Sequence, residues 1–302
     1  MEHPSLLMEA LLSQILGTIA LRPYFVAFLL SYFLACSLHL GLKRALLFAV
    51  FGYAIAWASE YSSIHNGVPY GRYFYIEATR GRELWVLGVP FMDSMSFVFL
   101  AYASYTMALF TISPVLPAGG LYLLETRKIR GSFGVRLMGA FFFMYLDIII
   151  DPVALRGDRW FLGRLYGYGR EGAYFGIPIS NFIGWLCVGF LLIYALQLID
   201  RLLPRKDLYG SSFPRRYLFG PALYFGIIIF NLTITFLIGE YNLLWAGIFI
   251  ALLPSLLLAS AVKKKLCGAG RDSALEAHVR DFPGVVVPGR DTPRKGSPCY
   301  SN

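Results

Sequence analysis

The stretch GAFFFMYLDIIIDPVALRGDRW, residues 139–160, governs how the rest of the chain is read. Its first half is apolar and aromatic with no charge; it then places Asp147 and Asp151 four residues apart, with Pro152 directly after. An uncharged run of this kind belongs inside a bilayer, whose hydrocarbon core takes about 20 mostly apolar residues to cross as a helix. At i and i+4 the two aspartates share one helix face. Carboxyls at membrane depth are costly, and as a rule functional. Two local alternatives stand beside that reading. Asp151 can cap a short interfacial helix that Pro152 begins, and Asp147 can pair with Arg156 or Arg159.

Outward from this stretch the pattern repeats. Of 302 residues, 57% are hydrophobic, 17% aromatic and 15% charged, and the mean hydropathy is +0.59. Soluble domains carry about 25% charged residues, so the composition indicates an all-α, polytopic integral membrane helical bundle. Seven stretches are long and apolar enough to span, near 22–41, 45–65, 86–112, 134–155, 177–199, 217–239 and 242–262. The expected number of transmembrane helices is therefore about seven, within a range of six to eight. Residues 1–21 add an amphipathic or further membrane helix, interrupted by Glu9 and Gln14 and lacking the basic start and small-residue cleavage site of a signal peptide. Residues 22–262 form the membrane domain. After Lys263-Lys264-Lys265 the composition turns to Gly, Pro, Arg, Asp and Ser, which reads as a disordered tail over 263–302.

A net charge of +9 does not point to nucleic acid, because the basic residues sit in short loops between apolar runs, where they set orientation. One side collects Lys43, Arg44, Arg127, Lys128, Arg130, Arg136, Arg201, Arg205, Lys206, Arg215, Arg216 and Lys263–Lys265. The other has fewer: Arg22, Arg72, Arg80, Arg82, Arg156, Arg159, Arg164 and Arg170. The richer side, and the C-terminus with it, is expected in the cytoplasm. The four cysteines, Cys36, Cys187, Cys267 and Cys299, form no C-x-x-C pair and read as small apolar residues.

A weak internal repeat runs through the domain. Glu60 is followed by YGRYFY (70–75) and GVPFMD (88–93); Asp151 is followed by YGREGAYF (168–175) and GIPISN (176–181). In each copy an acidic residue closes one span, and Gly-Val/Ile-Pro opens the next, with Asp93 or Asn181 three positions after the proline. Proline suits the first turn of a helix, where its missing N–H costs nothing. This topology brings Glu60, Tyr70–Tyr75, Pro90, Asp151, Trp160, Tyr174 and Asn181 to one membrane face, opposite the lysines. The aromatics there, Trp57 and Trp85 among them, form an interfacial belt by default; some can line a pocket and stabilise a developing cation.

Other chemistries find little support. GYGREG (167–172) matches G-x-G-x-x-G by accident, since no strand leads into it and no Rossmann unit follows. No P-loop, G-x-S-x-G or H-E-x-x-H is present, and His3, His39, His65 and His278 make no histidine box. No metal site and no cofactor are expected.

Three segments resemble the carotenoid biosynthesis protein family, which includes carotenoid 1,2-hydratases of the γ-carotene and bisanhydrobacterioruberin type. They are Glu60 with GVPYGRYFYIE (67–77), LGVP (87–90), and DIIIDPVALRGDRWFLGRLYGYGREGAYFGIPISNFIGW (147–185). The third is the most specific, joining D-x-x-x-D-P to Y-F-G-[IV]-P-x-x-N-F-x-G-W. The chain departs from the family pattern at FMDSMSF (91–97). The resemblance implies a cofactor-independent hydro-lyase in a bacterial inner membrane. It would add water across the terminal double bond of an acyclic carotenoid, with a glycosyltransferase as a possible partner. Protonating C2 gives a tertiary cation at C1, which water captures; that needs a neutral acid, a dry pocket and one positioned water. Desolvation and a neighbouring like charge both favour a protonated carboxyl, so Asp147 or Asp151 is expected as the acid. Glu60 is expected to orient or deprotonate water, with Asn181 holding it. Trp160, Trp185 and Tyr174 are expected to flank the end group, with Tyr70 and Trp57 also at the substrate. The alternatives are a membrane prenyltransferase binding Mg-diphosphate, with Asp200 and Asp207 as its second acidic motif, and a proton-coupled transporter of lipids or small molecules.

Overall fold

The computed structural model describes residues 4–117, 121–203, 216–266 and 271–282. In chain order the helices are α1 (Pro4–Leu21), α2 (Pro23–Leu40), α3 (Leu42–Asn66), α4 (Phe91–Ile112), α5 (Arg127–Arg130), α6 (Phe133–Ala154), α7 (Ile179–Leu202), α8 (Phe219–Leu237), α9 (Tyr241–Leu266) and α10 (Arg271–Asp281). Seven of them, α2, α3, α4 and α6 to α9, are long and apolar enough to cross a membrane. The expected all-α polytopic bundle is the fold observed, and each span lies within a few residues of its expected position. The third span starts at Phe91 rather than 86, because Trp85–Val86 and Val89–Pro90 form a small antiparallel ribbon ahead of it.

The spans alternate in direction. Helices α3 and α6 run toward one end of the bundle, and α4 and α7 start there and run back. Between them, α4 is the most enclosed, with Val98, Ala101, Tyr102, Ala103 and Tyr105 fully buried. Its small residues let neighbours approach closely, the usual way membrane helices pack without a hydrophobic force between them. On α8, a Cβ at Gly220 would stand 2.3 Å from the Thr106 hydroxyl of α4; on α7, one at Gly189 would stand 2.6 Å from the Phe143 ring of α6.

Asp151 does not cap a new helix. Helix α6 is continuous from Phe133 to Ala154, with Pro152 inside its last turn, where a proline interrupts little of the hydrogen-bond ladder. Nor does Asp147 pair with an arginine, since Arg156 and Arg159 both pair with Glu240 at the foot of α9.

The expectation of a disordered tail from residue 263 is corrected in its described part. Helix α9 runs on to Leu266, and α10 docks on the bundle, with His278 and Phe282 buried. Leu275, His278, Val279 and Phe282 recur at helical spacing and form one packed stripe, which the surrounding Gly and Pro obscured. Residues 267–270 and 283–302 lie outside the described residues. Over Met8–Leu21, α1 is apolar but shorter than the seven spans. Gln14, Gly17, Thr18 and Leu21 face the protein while Leu11, Leu12, Ile15 and Ile19 face outward. At its end the buried Arg22 grips Glu83 through two 2.9 Å contacts and donates to the carbonyl of Leu162, tying α2 to both loops that cover the site.

Candidate functional site

Where α3 and α6 end and α4 and α7 begin, four helix termini bring their polar residues together. Glu60 comes from the last turns of α3, Asp93 from the first turn of α4, Asp147 and Asp151 from the end of α6, and Asn181 from the start of α7. Pro90 and Pro178 each stand just before their helix. The N-termini of α4 and α7 carry the positive ends of their dipoles toward this group, which favours carboxylates there.

The group divides into two halves. In the first, the Asn181 amide donates to Asp147 Oδ2 at 2.8 Å and to Asp151 Oδ2 at 2.7 Å, so both its hydrogens are used. Asp151 also accepts from Tyr166 at 2.9 Å and from Tyr168 at 3.2 Å. The Asp147 and Asp151 carboxyls are thus held side by side through the one amide. Asp147 Oδ1 is buried without a hydrogen-bond partner. In the second half, the Tyr75 hydroxyl sits 2.7 Å from Asp93 Oδ2 and 3.0 Å from Glu60 Oε1, and Ser94 donates to the other Glu60 oxygen. Glu60–Asp93 and Asp151–Asn181 therefore hold corresponding places in the two copies of the sequence repeat.

A tyrosine ladder roofs both halves. Strands β1 (Tyr73–Tyr75) and β2 (Tyr166–Tyr168) pair antiparallel, Phe74 opposite Gly167. Because strand side chains alternate faces, Tyr73, Tyr75, Tyr166 and Tyr168 all point to the carboxyls, while Phe74 is exposed. Gly167 is needed beneath that ring: a Cβ there would stand 3.1 Å from it. Burial, reinforced by the Asp151 carboxylate, pushes the Tyr166 and Tyr168 hydroxyls well above the usual phenol range. Burial, then Asp93 and Glu60, does the same for Tyr75. All three therefore remain hydrogen-bond donors at physiological pH.

Glu60, Asp93, Asp151, Asn181, Tyr70, Trp185 and the four ladder tyrosines enclose a polar cavity of about 40 Å³. That is room for about two or three waters. Beside it lies an apolar cavity of about 100 Å³ between α2, α4, α6 and α8, walled by Phe25, Phe28, Phe99, Trp160, Ile227 and Phe230. Asp93, Asp151, Tyr166 and Trp185 border both cavities. Trp185 stacks on Phe97 with ring centroids 4.4 Å apart.

Of the residues singled out in the sequence, Glu60, Asp151, Asn181, Tyr70 and Trp185 line the polar cavity, and Trp160 lines the apolar one. Asp147 lies one layer behind Asp151 and reaches the cavity through Asn181. Two expected substrate residues do not line either cavity. Trp57 donates to the carbonyl of Val86 and stacks on Tyr61. Tyr174 packs on Phe175 and Phe182 with its buried hydroxyl unpartnered. Sequence reasoning left out Asp93, Tyr75, Tyr166 and Tyr168 as site residues. Asp93 was legible as the counterpart of Asn181 in the repeat. The tyrosines were hidden by a register in which 166–168, not 168–175, answers YGRYFY. Among the described residues, no three of His, Cys, Asp and Glu are grouped to hold a metal ion.

A family model described as carotenoid biosynthesis protein matches residues 10–256. No curated protein matches the chain, and no solved structure does.

Proposed function

We propose, from the premise that this chain belongs to the carotenoid biosynthesis protein family, that it is a cofactor-independent hydratase of the 1,2 double bond at an acyclic carotenoid end. One observation carries the reading: a water-sized polar cavity and an apolar cavity meet at shared carboxyl groups. An isopropylidene end group has the size and polarity for the second cavity, and the water that must attack it has a place in the first.

In this mechanism the Asp147–Asp151 pair holds one proton, as closely packed carboxyls do. Asp151, which faces both cavities, delivers that proton to C2 of the substrate. The cation left at C1 is tertiary and lies against Trp185 and Trp160, whose ring faces favour positive charge. Water in the polar cavity adds its oxygen to C1. Its surplus proton passes to the Glu60–Asp93 pair, which Tyr75 links, and returns through solvent to the Asp pair. Asn181 fixes both aspartates, and the ladder tyrosines hold Asp151 in place as its charge changes.

The prenyltransferase reading requires a second acidic motif near the first. Asp200 lies at the far end of the bundle and is paired with Arg44 and Arg130, and Asp207 lies outside the described residues. A transporter requires access from both ends, yet at the far end Glu125 and Asp200 are closed by ion pairs with Arg44 and Arg130. The deciding experiment is expression of the chain in a lycopene-producing host followed by pigment analysis. A monohydroxylated or dihydroxylated carotenoid, heavier by one or two waters, is the expected product; unchanged lycopene beside well-inserted protein would reject the activity.

The orientation follows from charge. The lysine-rich end, with α10 and the C-terminus, is proposed to be cytoplasmic and the carboxyl site external, in a bacterial inner membrane. A reporter fused after Lys265 should then read as cytoplasmic, and one inserted between Arg156 and Gly172 as external. The reverse pattern would overturn the orientation.

A further inference from the structure

The cytoplasm-assigned end of the bundle holds a cavity of about 440 Å³, larger than either site cavity and lined by Arg44, Arg127, Arg136 and Arg201. Asp200 also lines it, but its carboxylate is already answered by Arg44 at 2.8 Å and Arg130 at 3.5 Å. Arg130 in turn closes on Glu125. The neighbouring Asp281 accepts the backbone N–H of Arg127 at 2.9 Å and lies 3.8 Å from Arg280. Among the described residues this leaves Arg127, Arg136 and Arg201 with no carboxylate partner. Arg136 is half-buried, its Nε bound to Gln197 at 2.9 Å and its guanidinium 4.3 Å from the Tyr194 ring. It is held in position with charge to spare.

The outer wall of the same cavity is apolar. Tyr194, Leu198 and Leu202 lie along the outward side of α7, exposed where acyl chains would run. A cavity with three uncompensated guanidinium groups at headgroup depth and a greasy flank is matched by an anion that carries hydrocarbon. Guanidinium groups pair with phosphate oxygens in a forked geometry that ammonium cannot reproduce, and basic pockets between helices on the cytoplasmic side suit anionic lipid heads.

We propose that this cavity binds a phosphoryl anion through Arg127, Arg136 and Arg201, the apolar flank favouring one borne by an anionic phospholipid. The proposal uses no residue of the carboxyl site and stands whether or not the chain is a hydratase. It is tested on the full-length protein, delipidated in detergent, by native mass spectrometry with phosphatidylglycerol, phosphatidylcholine and inorganic phosphate as probes. The wild type should bind phosphatidylglycerol at least about tenfold more tightly than phosphatidylcholine. The double variant Arg127→Gln/Arg201→Gln, which alters two exposed and unpaired side chains, should lose most of that preference. The lysine counterpart Arg127→Lys/Arg201→Lys should keep part of it, which separates loss of charge from loss of fold. If millimolar inorganic phosphate displaces the lipid, the phosphoryl group itself is the recognised element; if it does not, the lipid is required. Equal binding of the two lipids, or an unchanged preference in the glutamine variant, overturns the proposal.

Discussion

An Asp151→Asn variant is expected to lose about 10²–10⁴-fold in hydroxylated product, the range that a positioned proton donor contributes, while inserting at the wild-type level. Asn keeps the size of the side chain and its place between Tyr166, Tyr168 and Asn181 but holds no transferable proton. Asp151 borders both the water-sized and the apolar cavity, and the other carboxyl that does so, Asp93, is engaged by Tyr75 in the opposite half of the site. Asp147→Asn is expected to cost less. That residue is fully buried behind Asn181, and its proposed part is to share the proton of Asp151, a positioning role rather than contact with substrate. Comparing initial rates of the two variants in membranes, at matched protein level, checks both the assignment and its order. Wild-type activity in both would remove the aspartates from the chemistry altogether.

The spans were legible because helices in lipid must satisfy every backbone group internally and bury a fixed length of hydrocarbon. Those two constraints leave a strong, local signal, and the seven apolar runs carried it. The convergence of Glu60, Asp151 and Asn181 was also legible, because counting spans alternately places each loop at one end or the other. What hydropathy cannot encode is the pairing of loop with loop. The contact of Tyr73–Tyr75 with Tyr166–Tyr168 joins segments more than 90 residues apart, and its register rests on Gly167 fitting beneath Phe74. A reading from the repeat alone shifted that register and selected Tyr174, which packs elsewhere. Trp57 failed for a different reason. It lies one turn from Glu60, but helix geometry turns it toward Val86 rather than the carboxyls. The α10 helix was hidden because a composition average over Gly and Pro diluted its short apolar stripe. Asp93 is the instructive case: it departs from the family pattern, yet it faces Asp151 across both cavities and lies within hydrogen-bond reach of Tyr75.

Hydration adds one oxygen and two hydrogens across the 1,2 bond, whereas oxygenation would draw its oxygen from O₂, and isotopes trace the source of each atom. In water enriched in heavy oxygen, membranes containing the protein should place the label at C1; in heavy water, deuterium should appear at C2. Both follow from atom balance, since one proton and one hydroxyl from water are all that the addition needs. The carboxyl arrangement supplies the means. In the proposed mechanism the Asp pair gives a proton on one side, the Glu60–Asp93 pair accepts one on the other, and the small cavity that they line takes the oxygen donor. Conversion should therefore proceed without oxygen, added iron or reductant. With Asp151 as the proposed acid, re-protonated from solvent between turnovers, the deuterium at C2 should approach the enrichment of the medium, less any kinetic isotope discrimination. A rate lowered several-fold in heavy water would place C2 protonation in the slow step. Heavy oxygen arriving at C1 from labelled O₂ would instead refute the hydratase reading, and demand an oxygen-activating centre that the scattered histidines, His39, His65 and His278 among them, do not suggest.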